Sequence, residues 1–167
     1  MIWKFGELAL TAEEIDFLDP AAPEGPDVRE RGLRIEFRVV DEQHEGSVYA
    51  SDRWVLQPAF CRLDLLESAP GRADRIHWHP AVTDGEPGQR VFDPALTEDP
   101  LTWIHERLRD LPAFLQQIGK EQAFHIDLEA LRSELPSITA WLKQALDHAR
   151  RPWPTVTRNE RGLAVKR

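Results

Sequence analysis

The sequence predicts an α+β fold, with a curved antiparallel sheet of about five strands covered on one face by C-terminal helices. Three observations carry this. In "LRIEFRVV", 33–40, Leu33, Ile35, Phe37 and Val39 alternate with Arg34, Glu36 and Arg38, so one face is buried and the other wet. That alternation belongs to antiparallel strands, since parallel strands buried on both faces read as continuous apolar runs. After residue 99 the apolar spacing changes to that of a helix. The 167 residues fit one α+β domain over 1–151, followed by an extended tail over 152–167.

The elements follow in order. "IWKFGELAL", 2–10, reads as a first strand. "LTAEEIDFL", 10–18, reads as the start of a short helix. Thr11 would cap it, Glu14 would complete a capping box, and Leu10 and Ile15 would form a staple. "DPAAPEGPD", 19–27, is a Pro-rich loop that stops it. "LRIEFRVV" is the next strand, "DEQHEG" a turn, and "SVYASDRWVL", 47–56, a third strand. After Pro58, "AFCRLDLLES" is a fourth strand, "APGRAD" a loop and "RIHWHPAV", 75–82, a fifth.

In the second half, Asp99 is placed as an N-cap with Pro100 at the first helical position. Pro112 interrupts that helix, and "LPAFLQQIGK" runs on to a C-cap at Gly119. The stretch 126–151 is a longer helix, capped at Asp127, with the stripe Leu128, Leu131, Leu135, Ile138, Leu142 and Leu146, and Pro136 is expected to break or kink it. Trp3, Trp54, Trp78, Trp103 and Trp141 are core by pattern.

Charge and composition exclude several classes of function. Lys plus Arg is 21 and Asp plus Glu is 29, a net charge of −8. Such a chain is repelled by phosphate backbones and by anionic membranes, so nucleic acid and membrane are not expected partners. The single cysteine, Cys61, allows no intrachain disulfide and reads as a small buried hydrophobe. The N-terminal residues lack the pattern of a signal peptide, and no apolar run is long enough to span a bilayer, so a cytoplasmic location is expected.

The stretch "DRIHWHP", 74–80, carries the chemistry. Strand residues two apart share a face, so His77 and His79 project together while Ile76 and Trp78 point the other way. On the neighbouring strand Arg62 and Asp64 share one face and Leu63 and Leu65 the other. If "APGRAD" closes a hairpin, Ser68 pairs with Arg75, Asp64 with His79 and Leu65 with Trp78. The apolar pairing then gathers Arg62, Asp64, His77 and His79 on the opposite face. Leu66 departs from the pattern, and Glu67 falls on the apolar face near the hairpin end, within reach of water.

Three readings fit this cluster. It is an ordinary polar sheet face; an acid–base site in which Asp64 fixes the tautomer of an imidazole base; or a centre for a single divalent metal with His77, His79 and Asp64 as ligands. Arg62 beside it argues against a cation. The segment 79–94 has little regular structure and three turn formers, Gly85, Pro87 and Gly88. It reads as a lid carrying Glu86, Arg90 and Asp93, with Arg90 and Glu86 as candidate substrate-binding residues. "GEPG" lacks the Lys-Ser or Lys-Thr of a phosphate-binding loop, so no nucleotide cofactor is expected. His44, His105 and His125 carry no motif, and His148 suits a favourable contact with a helix C-terminus.

Two functions are therefore expected in competition. One is a small enzyme acting on a small organic molecule by acid–base chemistry (cyclisation, elimination or isomerisation). Its cofactor is either none or one divalent metal, and its pocket has the cluster at its floor. The other is a non-catalytic interaction module, antitoxin-like or regulatory, that binds a protein partner. The tail at 152–167, with Pro152, Trp153 and Pro154, would dock on a neighbour or support a homo-oligomer.

Overall fold

The computed structural model describes residues 1–19, 28–43, 53–120, 124–158 and 164–166. Strands β1 (Ile2–Phe5), β2 (Leu8–Asp19), β3 (Val28–Gln43), β4 (Arg53–Glu67) and β5 (His77–His79) form one antiparallel sheet in sequential order. The sheet is curved but not closed into a barrel. Two small hairpins follow elsewhere in the chain: β6 (Val82–Thr83) with β7 (Glu86–Pro87), and β8 (Val156–Arg158) with β9 (Ala164–Lys166). Helices α1 (Pro94–Glu98), α2 (Pro100–Arg109), α3 (Leu111–Gln117) and α4 (Leu128–Ala149) complete the fold.

The helices bury the apolar side of the alternation. Leu8, Leu10 and Ala12 of β2, Leu33, Ile35 and Phe37 of β3, and Cys61, Leu63 and Leu65 of β4 share a core with Trp103, Phe114, Leu131, Ile138 and Leu142. Trp78 enters this core from β5, with its ring 5.5 Å from that of Trp103 and 5.9 Å from that of Phe114. Burial pushes the Cys61 thiol up to about 12, consistent with a packing role. Among the described residues no helix is long and apolar enough to cross a membrane.

The helix expected at 10–18 is a strand. The first strand ends at Phe5, Gly6 turns the chain with φ +66°, and β2 runs unbroken from Leu8 to Asp19 along β3. Thr11 and Glu14 make a local capping signal, but pairing with β3 supplies a ladder bond at every second residue and two ion pairs besides. Arg31 donates to Glu14 and Arg29 to Asp16, so the acidic residues of β2 are matched across the ladder. Tertiary pairing overrides the cap.

The expected third and fourth strands are one strand, β4, which passes through Pro58. The register against β3 shifts between Phe37 and Arg38 and again between Arg38 and Val40. A proline without an N–H is tolerated where the ladder is already interrupted. Trp54, near the start of β4, is 60% exposed rather than core, with Lys4 over its ring. The loop 20–27, the turn at 44–46 and residues 47–52 lie outside the described residues.

Asp99 and Asp127 cap α2 and α4 with their side chains, Pro100 opens α2, and Gly119 takes φ +69° after α3, as the sequence predicts. Pro136 does not break α4, which continues for 22 residues. Pro136 is on the exposed side of α4, so the carbonyl it leaves unpaired can meet water. The start of the tail is held: Arg29 donates to the Pro154 carbonyl, and Trp153 Nε1 donates to that of Ala149. Glu67, expected to reach water, is buried and receives Arg150 Nε at 2.7 Å.

Candidate functional site

Cross-strand register builds the open face of the sheet into two rows. One runs His77, Asp64, Arg34, Glu13 from β5 to β2. The other runs His79, Arg62, Glu36, Thr11, Ile2 from β5 to β1. The four residues Arg62, Asp64, His77 and His79 thus share one face, as the apolar pairing predicts. The register differs by two residues from the expected one: Asp64 stands opposite His77, Arg62 opposite His79 and Leu63 opposite Trp78. A shift of two preserves every face, whereas a shift of one would have moved the histidines into the core. In the connection from β4 to β5, Ser68 N and Oγ both donate to the Asp74 carboxylate.

Asp64, His77 and His79 are buried, each about 3% exposed. Asp64 Oδ2 lies 3.6 Å from His77 Nε2 and 3.8 Å from His79 Nε2. The two imidazoles meet edge to face, with centroids 5.0 Å apart. Each Nδ1 is committed elsewhere: His77 Nδ1 to the Arg75 carbonyl at 2.8 Å and His79 Nδ1 to the Gly88 carbonyl at 2.9 Å. A carbonyl only accepts, so both Nδ1 atoms donate. In the neutral rings both Nε2 atoms then carry lone pairs, and both lie within 3.8 Å of the same carboxylate oxygen. One candidate ligand atom from each of the three residues falls within 4.8 Å of the others. Burial lowers the His77 pKa; the Arg75 carbonyl and Asp64 oppose this, and Arg90 and His79 add to it.

The charges around this point are matched. Arg34 Nε donates to Asp64 Oδ1 at 2.7 Å, leaving Oδ2 toward the histidines. Arg62, expected in the working group, donates to Glu36 Oε1 at 2.8 Å, and Arg38 also binds Glu36. Its charge is therefore balanced away from the histidines, which weakens the sequence argument that Arg62 repels a cation.

The segment after β5 is partly built into the sheet edge. Asp84 and Gly85 turn the β6–β7 hairpin with φ 51° and 84°, and Gly88 N donates to the Ala81 carbonyl. Val91 and Trp78 exchange two backbone hydrogen bonds in an antiparallel bridge. Glu86 is exposed on the hairpin, and Arg90 is exposed beside it. Asp93, expected at the site mouth, instead caps α1 and receives Trp103 Nε1 at 2.8 Å. The depressions of the described surface include one of about 480 Å³ between β2 and α4 and another of about 310 Å³ bordered by Arg34, Glu36 and Arg38. Neither has Asp64, His77 or His79 in its lining.

The other described histidines, His105, His125 and His148, have partners elsewhere, and His44 lies outside the described residues. His105 Nδ1 meets Thr139 Oγ1, His125 N donates to Glu7 Oε2 at 2.6 Å, and His148 pairs with Glu14 at 2.7 Å. The sequence reading missed Arg34, Gly88 and Phe92. Arg34 was visible as the polar member of "LRIEF"; the other two depend on how the segment after His79 returns. No protein-family model, curated protein or solved structure matches the chain.

Proposed function

We propose that the protein is a small enzyme that acts on a small organic molecule by proton transfer at one divalent metal ion held by Asp64, His77 and His79. One observation carries the reading: two imidazoles and a carboxylate turn three lone-pair atoms toward one buried point, with both Nδ1–H groups anchored on backbone carbonyls. At 3.6 and 3.8 Å these atoms are too far apart for good hydrogen bonds. Buried acceptors facing one another repel unless a cation sits between them. Metal-bound histidines commonly donate the other ring N–H to a carbonyl, and a ligating carboxylate is commonly hydrogen-bonded in turn, here by Arg34.

Two nitrogens and one oxygen suit a borderline divalent ion such as zinc, cobalt or iron, with further positions for water or substrate. Such an ion polarises a bound carbonyl or acidifies a bound water, supplying the acid or the base of an isomerisation, elimination or cyclisation. Elemental analysis of purified protein, with calorimetric titration of zinc or cobalt into chelator-treated protein, tests this. One equivalent bound by the wild type and lost in Asp64→Asn and His79→Ala is expected. Absence of saturable uptake would return the cluster to the metal-free reading, in which a neutral imidazole Nε2 is the base.

A further inference from the structure

The bridge between Trp78 and Val91 has a consequence for the residues on either side of it. In an antiparallel pair the neighbours of one residue lie beside the neighbours of the other, so Phe92 comes beside His77 and Arg90 beside His79. The ring contact bears out the first: Phe92 and His77 have centroids 5.7 Å apart, at 43°. Trp78 points into the core, so the residues flanking Val91 share the face of the two histidines. The rows of the open face therefore each gain an outer member, one an aromatic ring and the other a guanidinium.

Both outer members lie uncovered beside the buried histidines. Arg29, Arg31, Arg34, Arg38 and Arg62 are each matched to a carboxylate. Arg90 is exposed, and no acceptor for it is found among the described residues. Phe92 is 63% exposed although it packs on His77. An unmatched cation and an uncovered ring next to one pair of buried histidines make a two-part recognition surface in an otherwise acidic chain.

We propose that Arg90 and Phe92 form the substrate-binding edge of the centre, and that they take a small carboxylate carrying a planar apolar group. This rests on the metal-centre reading for its catalytic meaning, although the subsite is defined by Arg90 and Phe92 alone. Arg90 would hold the carboxylate through its fork, and Phe92 would cover the planar part. The reacting portion then points toward His77 and His79.

Benzoate, cyclohexanecarboxylate and acetate are suitable probes, titrated calorimetrically into chelator-treated and cobalt-loaded protein. Both target residues are exposed, so Arg90→Gln and Phe92→Ala should leave the thermal melt unchanged. Benzoate is expected to bind more tightly than either other probe. Its affinity should fall about tenfold or more in Arg90→Gln and about threefold or more in Phe92→Ala. In the cobalt-loaded protein the visible spectrum should shift on benzoate addition. Equal affinity of wild type and Arg90→Gln, or binding of benzoate no tighter than acetate, overturns the proposal. Failure to take up cobalt while benzoate still depends on Arg90 overturns the metal reading and leaves the subsite standing. Cobalt uptake without benzoate binding does the reverse.

Discussion

Asp64 and His77 face each other across β4 and β5, with Oδ2 3.6 Å from Nε2 and both residues buried. His79 closes on the same oxygen at 3.8 Å. Taking the proposed ion away should cost stability, because energy released on binding the folded state is folding energy. With zinc at about 100 times its dissociation constant, the wild type should gain about 2.7 kcal/mol over the chelated protein. Asp64→Asn should gain almost none. Melts in zinc and in chelator measure this, and equal shifts in both proteins would contradict it.

His79 and Trp78 are adjacent but point to opposite faces, so their truncations should separate. Trp78→Ala empties part of the core between Trp103 and Phe114 and should cost about 3–5 kcal/mol. His79→Ala, measured without metal, should cost about 1–2 kcal/mol, because it removes a buried hydrogen bond to Gly88. Placement on an open sheet face would alone suggest a smaller loss; burial under the β6–β7 segment raises it. Denaturant midpoints of the two variants in chelator decide the order.

Gly88 positions His79 through its carbonyl. A Cβ built there meets the Ala81 carbonyl oxygen at 2.8 Å, so Gly88→Ala must move the strand end that orients the imidazole. Metal affinity should fall about tenfold or more while the core remains intact. Calorimetry with cobalt, read beside a near-ultraviolet dichroism spectrum, checks both parts.

Gly32 makes a different demand. A Cβ there would lie 1.9 Å from the Leu65 carbonyl oxygen, between strands that hold both the core and the site. Gly32→Ala should destabilise by about 3 kcal/mol or more, beyond an ordinary surface substitution. A wild-type melt for this variant would mean that β3 and β4 can separate locally at no cost.

Asp93 supplies a pH test. Its pKa is lowered below 3.8, first by the hydrogen bond from Trp103; burial opposes this, and backbone N–H groups at the start of α1 add to the lowering. A depressed carboxyl pKa stabilises the fold above the unfolded value, and that contribution is lost as pH falls through the folded value. Asp93→Asn should cost about 1 kcal/mol at neutral pH. The gap to wild type should narrow well below pH 3.8. Urea melts followed by tryptophan fluorescence across that range measure it.

The sequence by itself determined the faces. The alternation in "LRIEFRVV" and the expected apolar pairing of Leu65 with Trp78 were enough to put Arg62, Asp64, His77 and His79 together, because side-chain direction in a strand depends only on parity. It also determined the helix starts at Asp99 and Asp127, since a cap is a bond between neighbours in the chain. Tertiary structure decided what local signals could not. The capping box at Thr11 and Glu14 lost to pairing with β3, whose Arg29 and Arg31 are distant in sequence. Parity is unchanged by a two-residue shift, so the sequence left open whether Asp64 meets His77 or His79; the fold pairs it with His77. The anchors of both imidazoles are backbone carbonyls, which no residue type announces. The return of Arg90 and Phe92 to the histidines depends on the bridge between Val91 and Trp78, whose side chain is packed in the core.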